Sequence, residues 1–595
     1  MLDLIAPVLA FSFARPLLAA TACATLGTTA FVAYWVYRIV VAPLLSPLRV
    51  VPGPPSEHPL WGNLRPLIDE DPGRAHADWA EKYGGAVRYR GLLGGDRLVL
   101  TDPAALNHVL TAHTYDYAKP DEVRGDLAMV LGKGVVFAEG ETHRRQRRLM
   151  NPAFAPSNLK AMTPGFFALA YQLRDIWTAK ISDGEIDQRA WKDEEAAATH
   201  AASQEKGAAV IEVSDWLTRL TLDAIGKAGF GYDFRALCLE SDALAQAFAS
   251  LFSPSGDPGH PHPFTVLINT VIGACLQALP TLKLAKLIPN ERIKAVYAAF
   301  DTIQTESAKI IKAKREEAAD KGKDHEARKD LISILLNNAE KEKLDDEELR
   351  GQLTTFLFAG HETISNSLSW VLWALVCAPD KQDRLRREVR EARRKALVEG
   401  RDELTSEELS SLEYLDAVTR EILRLEPALS STPRVAQRAD LIPLATPVPS
   451  ATDPSKTITH VPVKKGQMIY IGVYAANRNK SIFGQDADDF RPERWLDQEN
   501  KIEPQRGAGW SGLMTFLAGP RACIGYKFAL LEFKAVLSVL IDTFEFDKRD
   551  PDIQIIHRSS VITRPFVAGE MELGTGMPLK VRRLAAREDK EDGEA

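Results

Sequence analysis

The feature that most limits how this chain can fold is Phe516-Leu517-Ala518-Gly519-Pro520-Arg521-Ala522-Cys523-Ile524-Gly525, set directly before the apolar-periodic run Tyr526 to Leu540. It places one cysteine in a glycine- and proline-bent loop at the mouth of a helix. Gly519 and Gly525 can take backbone angles that other residues avoid, so the chain can turn tightly around the sulfur. The start of the following helix offers unpaired N–H groups and a positive dipole end. Such surroundings lower a thiol pKa and keep a thiolate available as a soft metal ligand. Arg521 adds a fork of donors suited to a carboxylate. A cysteine buried for packing alone is the plainer alternative, and the rest of the sequence decides between the two.

The 595 residues, 45% apolar and 26% charged, can bury a large core. A formal net charge of -7 argues against nucleic acid as a partner, since no basic excess exists to neutralise phosphates. Cys23, Cys238, Cys275, Cys377 and Cys523 are far apart and without CxxC spacing. Neither a disulfide framework nor a structural zinc site is expected from them. The amino terminus stands apart. Pro16 to Tyr37 is a run of 22 uncharged residues between Arg15 and Arg38, long enough at about 1.5 Å each to cross a hydrocarbon core. Tyr34, Trp35 and Tyr37 lie where an interfacial aromatic belt would be. A cleaved signal peptide would have a shorter apolar core, so a membrane anchor over 1–42 is expected. Pro43, Pro47, Pro52, Pro54 and Pro55 then make 43–59 a stiff hinge.

Ala86 to Arg90 and Arg97 to Thr101 alternate around glycines, which predicts a β-hairpin. The main globule is expected over 60–583, mostly helical in period, with an acidic tail over 584–595. Ser182 to Lys206 and Lys314 to Lys329 read as solvated insertions, and Phe252 to Ile288 as an apolar segment broken by prolines.

Four further clusters carry chemistry. Ala359-Gly360-His361-Glu362-Thr363 sits inside an apolar-periodic segment from about Glu347 to Val376. A mid-helix glycine costs about 1 kcal/mol relative to alanine, so Gly360 is read as leaving room against a flat cofactor. The Thr363 hydroxyl can compete for a backbone carbonyl and open the helix locally. His361 reads as a helix-surface residue. Glu421-Ile422-Leu423-Arg424 brings opposite charges together at i, i+3, and Pro427 ends that helix. Phe490-Arg491-Pro492-Glu493-Arg494-Trp495 supplies another arginine. Gly140 to Phe154 is a basic helix containing His143 and Arg147. Gly507 to Gly512 satisfies GxGxxG but lacks the preceding strand and following helix, so it is loop.

Together these motifs resemble the cytochrome P450 family, the haem-thiolate monooxygenases. Phe516-x-x-Gly519-x-Arg521-x-Cys523-x-Gly525 is similar to its haem-binding loop, and the resemblance implies that Cys523 is the axial iron ligand. It implies that Arg521, Arg147, His143 and Arg434 meet haem propionates, with Phe516, Gly519 and Gly525 shaping the loop. His143 stands where the family has tryptophan. Glu362 and Thr363, with Gly360, resemble the oxygen-activation segment, an acid–alcohol pair that delivers protons. Glu421, Arg424 and Arg494 would form the family's buried triad. By position, Leu353, Phe356, Ala359, Ser431, Thr432 and Ile562 would line the substrate pocket.

The resemblance further implies a mainly α fold with small β-sheets behind one N-terminal transmembrane helix. The cofactor would be haem b. Dioxygen, a hydrophobic small-molecule substrate, the membrane and a separate NADPH–cytochrome reductase would be the partners. The catalytic domain would face the cytosol from the endoplasmic reticulum. The other readings are a haem-thiolate isomerase, dehydratase or peroxygenase needing no reductase, and a tethered haem sensor without turnover. An intact Glu362–Thr363 pair argues against both.

Overall fold

The structure, a computed structural model, describes residues 25–584 except 27, 31–32, 193–206, 240–241, 245, 248–290, 321–329, 343, 498, 500–501, 503–508 and 560–561. Most of the expected anchor, the apolar segment from Phe252 to Ile288, parts of both insertions, the first residues of the GxGxxG loop and the tail after 584 lie outside the described residues. Among the described residues no helix is long and apolar enough to cross a membrane.

The fold is mainly helical with small sheets. The helices around the site, in chain order, are α1 (Gly140–Met150), α2 (Pro156–Asp183), α3 (Val213–Ile225), α4 (Asp346–Val376), α5 (Pro379–Val398), α6 (Glu413–Leu425) and α7 (Tyr526–Thr543). The core forms where α2, α3, α4, α6 and α7 pack together, with Trp177, Phe166, Leu220, Leu368 and Leu537 all buried. α4 is buried on nearly every side, with apolar and small polar residues alike covered by its neighbours. Its start is fixed by Asp345, whose side chain accepts the Glu348 N–H at 2.7 Å, and by three acidic residues in the first turn. α6 stops at Leu425, just before Pro427.

The expected hairpin is present as β1 (Ala86–Arg90) against β2 (Asp96–Leu100). With β3 (Tyr117–Ala118), β5 (Ser431–Ala436) and β8 (Met468–Gly472) these strands form a sheet ordered β1-β2-β8-β5-β3. β2 and β8 run parallel, and the other neighbours run antiparallel. Its apolar side makes a second core with Leu98, Leu100, Ile469 and Ile471. β4 (Ala208–Glu212), β9 (Phe544–Lys548) and β12 (Pro578–Arg583) form a second sheet ordered β4-β12-β9. β6 (Asp440–Pro449) pairs with β7 (Thr457–Val463), and β10 (Ile555–Ser559) with β11 (Thr563–Val567). This last hairpin folds back toward the middle of α4: His557 of β10 stacks on Trp370 at 4.2 Å.

Candidate active site

The cysteine loop is wound by two left-handed residues, Leu517 (φ 55°) and Gly519 (φ 69°). A Cβ at Gly519 would come 2.1 Å from the Leu110 carbonyl oxygen, so no side chain fits there. Gly525 differs from the sequence expectation. Its φ of -89° is open to any residue, and its freedom is not what the loop uses. It caps α7, and its backbone N–H is directed to the Cys523 sulfur. The Cys523 N–H donates to the Phe516 carbonyl at 2.8 Å and closes the loop. The Phe516 ring is wedged edge-on against Trp510 at 5.6 Å.

Cys523 is ringed by protein, yet its side chain has open surface, so the sulfur faces an internal space. Burial pushes its thiol above the ordinary value, with the Gly525 N–H and the Arg147 charge opposing. This corrects the expectation of a lowered pKa. Without a cation the desolvation of a thiolate outweighs the helix end, and a coordinated metal ion reverses that balance.

Around the loop lies a buried cluster of cations. Arg521 donates to the Thr114 and Tyr117 carbonyls at 2.8 and 2.7 Å and pairs with Glu139. Lys119, which the sequence did not single out, pairs with Glu139 at 2.7 Å. Burial lowers its pKa to about 8. Arg147 donates to the Ala522 carbonyl at 2.6 Å. Arg434 is 3% exposed and, among the described residues, donates to Thr432 Oγ1 and the Pro433 carbonyl. Burial, then the Arg521 charge, brings its pKa down to about 10. His143 is buried, with Nδ1 3.0 Å from the Tyr115 hydroxyl. Burial and the Lys119 and Arg521 charges lower its pKa to about 4, so it is neutral. Among the described residues Glu139 is the one carboxylate facing this set. Three arginines and a lysine around one glutamate leave a positive surplus, and that surplus fits a group carrying two carboxylates.

The α4 face toward this region is Phe356, Ala359 and Thr363. Phe154 links the two parts: its ring meets Phe356 edge-on at 5.6 Å and lies 3.7 Å from where a Cβ on Gly525 would be. Ala359 is exposed in the middle of an otherwise covered helix. The Thr363 hydroxyl donates to the Ala359 carbonyl at 2.8 Å, as expected, but α4 runs unbroken from Asp346 to Val376.

Gly360 is corrected. A Cβ there would lie 2.7 Å from Ile225 of α3, so the glycine admits a neighbouring helix rather than a cofactor. Leu353 is fully buried in the core. At roughly 100° per residue it lies about 120° around the helix from Ala359, which takes it off the open face. Ile562 is 2% exposed and packed likewise, while Ser431 and Thr432 keep some open surface.

His361 is also corrected: it is 3% exposed, not on the surface. Its Nδ1 lies 2.6 Å from the Leu357 carbonyl and its Nε2 lies 3.5 Å from Glu362 Oε1. Arg564 of β11 donates to Glu362 Oε2 at 2.6 Å. Burial alone would raise the Glu362 carboxyl, but His361 and Arg564 outweigh it and hold it below the usual carboxylate range.

Glu421, Arg424 and Arg494 are brought together. Glu421 is fully buried and receives both guanidinium arms of Arg424 (2.8 and 3.0 Å) and Arg494 Nε (2.8 Å). Trp495 Nε1 and the Arg491 N–H complete its shell at 2.9 and 3.0 Å. Of the basic face of α1, Arg144 is engaged by Glu141 and Arg145 by Glu348, so these charges are largely spent within the protein. A separate groove of about 280 Å³ on α2 and α3, lined by Met162, Phe166, Ala224 and Lys227, contains none of these residues.

The fold and site define a mainly helical protein in which one cysteine with open surface sits beside a buried surplus of cations suited to an anionic group. The family model for cytochrome P450 matches residues 52–568, and the chain belongs to that family. It is 35% identical over 575 residues to cytochrome P450 monooxygenase 205 of Postia placenta, covering 94% of this chain and 97% of that protein. It is 34% identical over 549 residues to cytochrome P450 monooxygenase claW of Ampulloclitocybe clavipes (91% and 93% covered). It is 32% identical over 555 residues to ganoderic acid synthetase CYP5150L8 of Ganoderma lucidum (91% and 95% covered). With the family come the monooxygenase class and a haem iron cofactor.

Proposed function

We propose that this enzyme inserts one oxygen atom of O2 into a hydrophobic small molecule, using electrons that a separate NADPH-dependent reductase supplies. The observation that carries this reading is the nearness of two open surfaces: Cys523 and the Ala359–Thr363 stretch of α4 both keep open surface, and Phe154 packs between Phe356 of that helix and Gly525 of the cysteine loop. When bound, haem supplies the electron storage and oxygen chemistry. Cys523 would hold its iron, and a thiolate there favours O–O cleavage. Arg147, Arg434 and Arg521, with His143 and Lys119, would hold its propionates.

The chain's own contribution is placement and proton handling. Thr363 holds a hydroxyl proton at Oγ1 on the open face, one residue from the Glu362 carboxyl. Phe356 and Ala359 present apolar surface to substrate, and excluding water there strengthens every polar contact. The reading extends to location: an N-terminal anchor in the endoplasmic reticulum membrane with the catalytic domain facing the cytosol. Support comes from Tyr34, Val36, Tyr37, Val40, Leu44 and Leu45, all more than half exposed on the described N-terminal segment.

The test is a panel of lipids, terpenoids, sterols and aromatic compounds titrated against the haem-loaded protein, followed by turnover with an added NADPH–cytochrome reductase. Hydrophobic compounds should shift the haem spectrum, and at least one should be oxidised in step with NADPH consumption. Shifts confined to strongly charged compounds would overturn the substrate reading.

A further inference from the structure

Glu362 cannot by itself be the proton store of the Glu362–Thr363 pair. Arg564 fixes one of its oxygens at 2.6 Å, and a carboxylate beside a guanidinium stays ionised. A relay needs a group in contact that can hold a proton. The ring of His361 meets that need by geometry. A carbonyl oxygen only accepts, so the 2.6 Å contact to Leu357 requires that Nδ1 carry hydrogen. That leaves Nε2 facing Glu362 Oε1 at 3.5 Å in a site 3% exposed to solvent. A bare nitrogen lone pair opposite a buried carboxylate is repulsive, so this placement favours a proton on Nε2.

We propose that His361 is the proton-holding member of this site: Nε2 and Glu362 Oε1 share one proton, Leu357 fixes the ring, and Arg564 fixes the carboxylate. The lowered pKa of Glu362, to which His361 and Arg564 both contribute against burial, agrees with a carboxylate that stays charged there. Other groups among the described residues also reach this helix. α3 offers the Thr221 hydroxyl, which donates to the His361 carbonyl at 3.0 Å, and Ile225. β10 brings His557, stacked on Trp370 further along α4. α7, which also packs on α4, carries the buried carboxyl of Glu532.

The inference rests on the monooxygenase reading and gives it a proton source. Each turnover consumes O2, two electrons from the reductase and two protons, leaving one oxygen atom in product and one in water. A proton leaving Nε2 passes through Glu362 toward Thr363 and is replaced from solvent. His361 touches neither substrate nor cofactor in this scheme, so it is a positioning and relay residue.

The test is His361→Asn, whose amide can keep the bond to the Leu357 carbonyl but carries no exchangeable charge. In the haem-loaded protein, substrate affinity should be unchanged. kcat should fall about tenfold, short of the hundredfold or more that losing an acid–base group in direct contact costs, and the solvent deuterium isotope effect should rise. Independently of turnover, the haem reduction potential should become more negative, because a buried positive charge is lost.

His361→Gln, which can restore a donor opposite Glu362 but no acidic proton, should behave the same. It serves as the measurement if the first variant fails to load haem. Wild-type kcat, isotope effect and potential in the variants would overturn the proposal and leave His361 a core residue. Wild-type protein that never shows a thiolate–haem spectrum would instead overturn the functional reading itself.

Discussion

Glu421→Gln isolates what the buried triad contributes. The carboxylate is fully buried and accepts five hydrogen bonds, three of them from guanidinium groups. Glutamine keeps the shape, removes the charge, and turns one acceptor into a donor aimed at an arginine. Arg424 is then left buried, tied to the Asn477 and Ala487 carbonyls but without a counter-charge, while Arg494 keeps the Phe483 and Asp486 carbonyls and the Asp486 carboxylate at 3.3 Å. Breaking a buried pair in this way costs about 3–5 kcal/mol, a large share of the roughly 5–15 kcal/mol that holds a typical domain together.

The damage should reach the cysteine loop. Arg424 holds the Asn477 carbonyl, and Asn477 in turn receives the Met514 N–H at 2.8 Å and donates to Thr515 Oγ1 at 2.9 Å. The assay is denaturant unfolding of the haem-loaded protein, followed by far-UV circular dichroism and by Soret absorbance. Both midpoints should fall, with the Soret transition first. Lys395→Met, which breaks the exposed Lys395–Glu391 pair on α5, is the control and should move neither. A Glu421→Gln midpoint equal to that control would refute the reasoning.

Thr363→Ala should leave haem bound and spectrum intact while product formed per NADPH falls and hydrogen peroxide rises; loss of haem would make Thr363 structural. His557 is held between Glu426 at 2.8 Å and Asp71 at 3.2 Å, and those partners outweigh burial and raise its pKa to about 9 from 6.5. Its contribution should be complete below pH 6.5 and disappear as pH rises through about 9. The stability gap between wild type and His557→Asn should close over that window. Asn479-Lys480-Ser481 is a glycosylation sequon. With the domain in the cytosol, Asn479 from native membranes should show no glycosidase-sensitive mass shift.

Local chemistry was legible in the sequence, and long-range partners were not. The helix after Cys523, the helix through Thr363 and the Glu421–Arg424 pair each depend on residues a few positions apart, where spacing alone carries the geometry. Arg494 was reachable only through the family resemblance. Nothing in the chain announces that Arg564 will close on Glu362 from 202 positions away. Nor does it announce that Lys119 and Arg521 will share Glu139, because topology decides both. Gly360 misled for a related reason: a small residue in a helix marks a close approach, but not what approaches. His361 is buried because α4 is covered on almost every side, so many of its polar residues, Gln352, Thr355 and Asn366 among them, are buried too.

Every role assigned to these residues depends on whether sulfur 523 binds haem iron. The direct measurement is the absorbance of the purified protein, supplied with hemin, reduced and exposed to carbon monoxide, beside Cys523→Ala. Wild type should give the strongly red-shifted Soret band of a thiolate ligand, with Cys523 protected from alkylation, and the variant should lack that band. A colourless wild-type protein, or one whose Cys523 alkylates freely with hemin present, would contradict the assignment at its root.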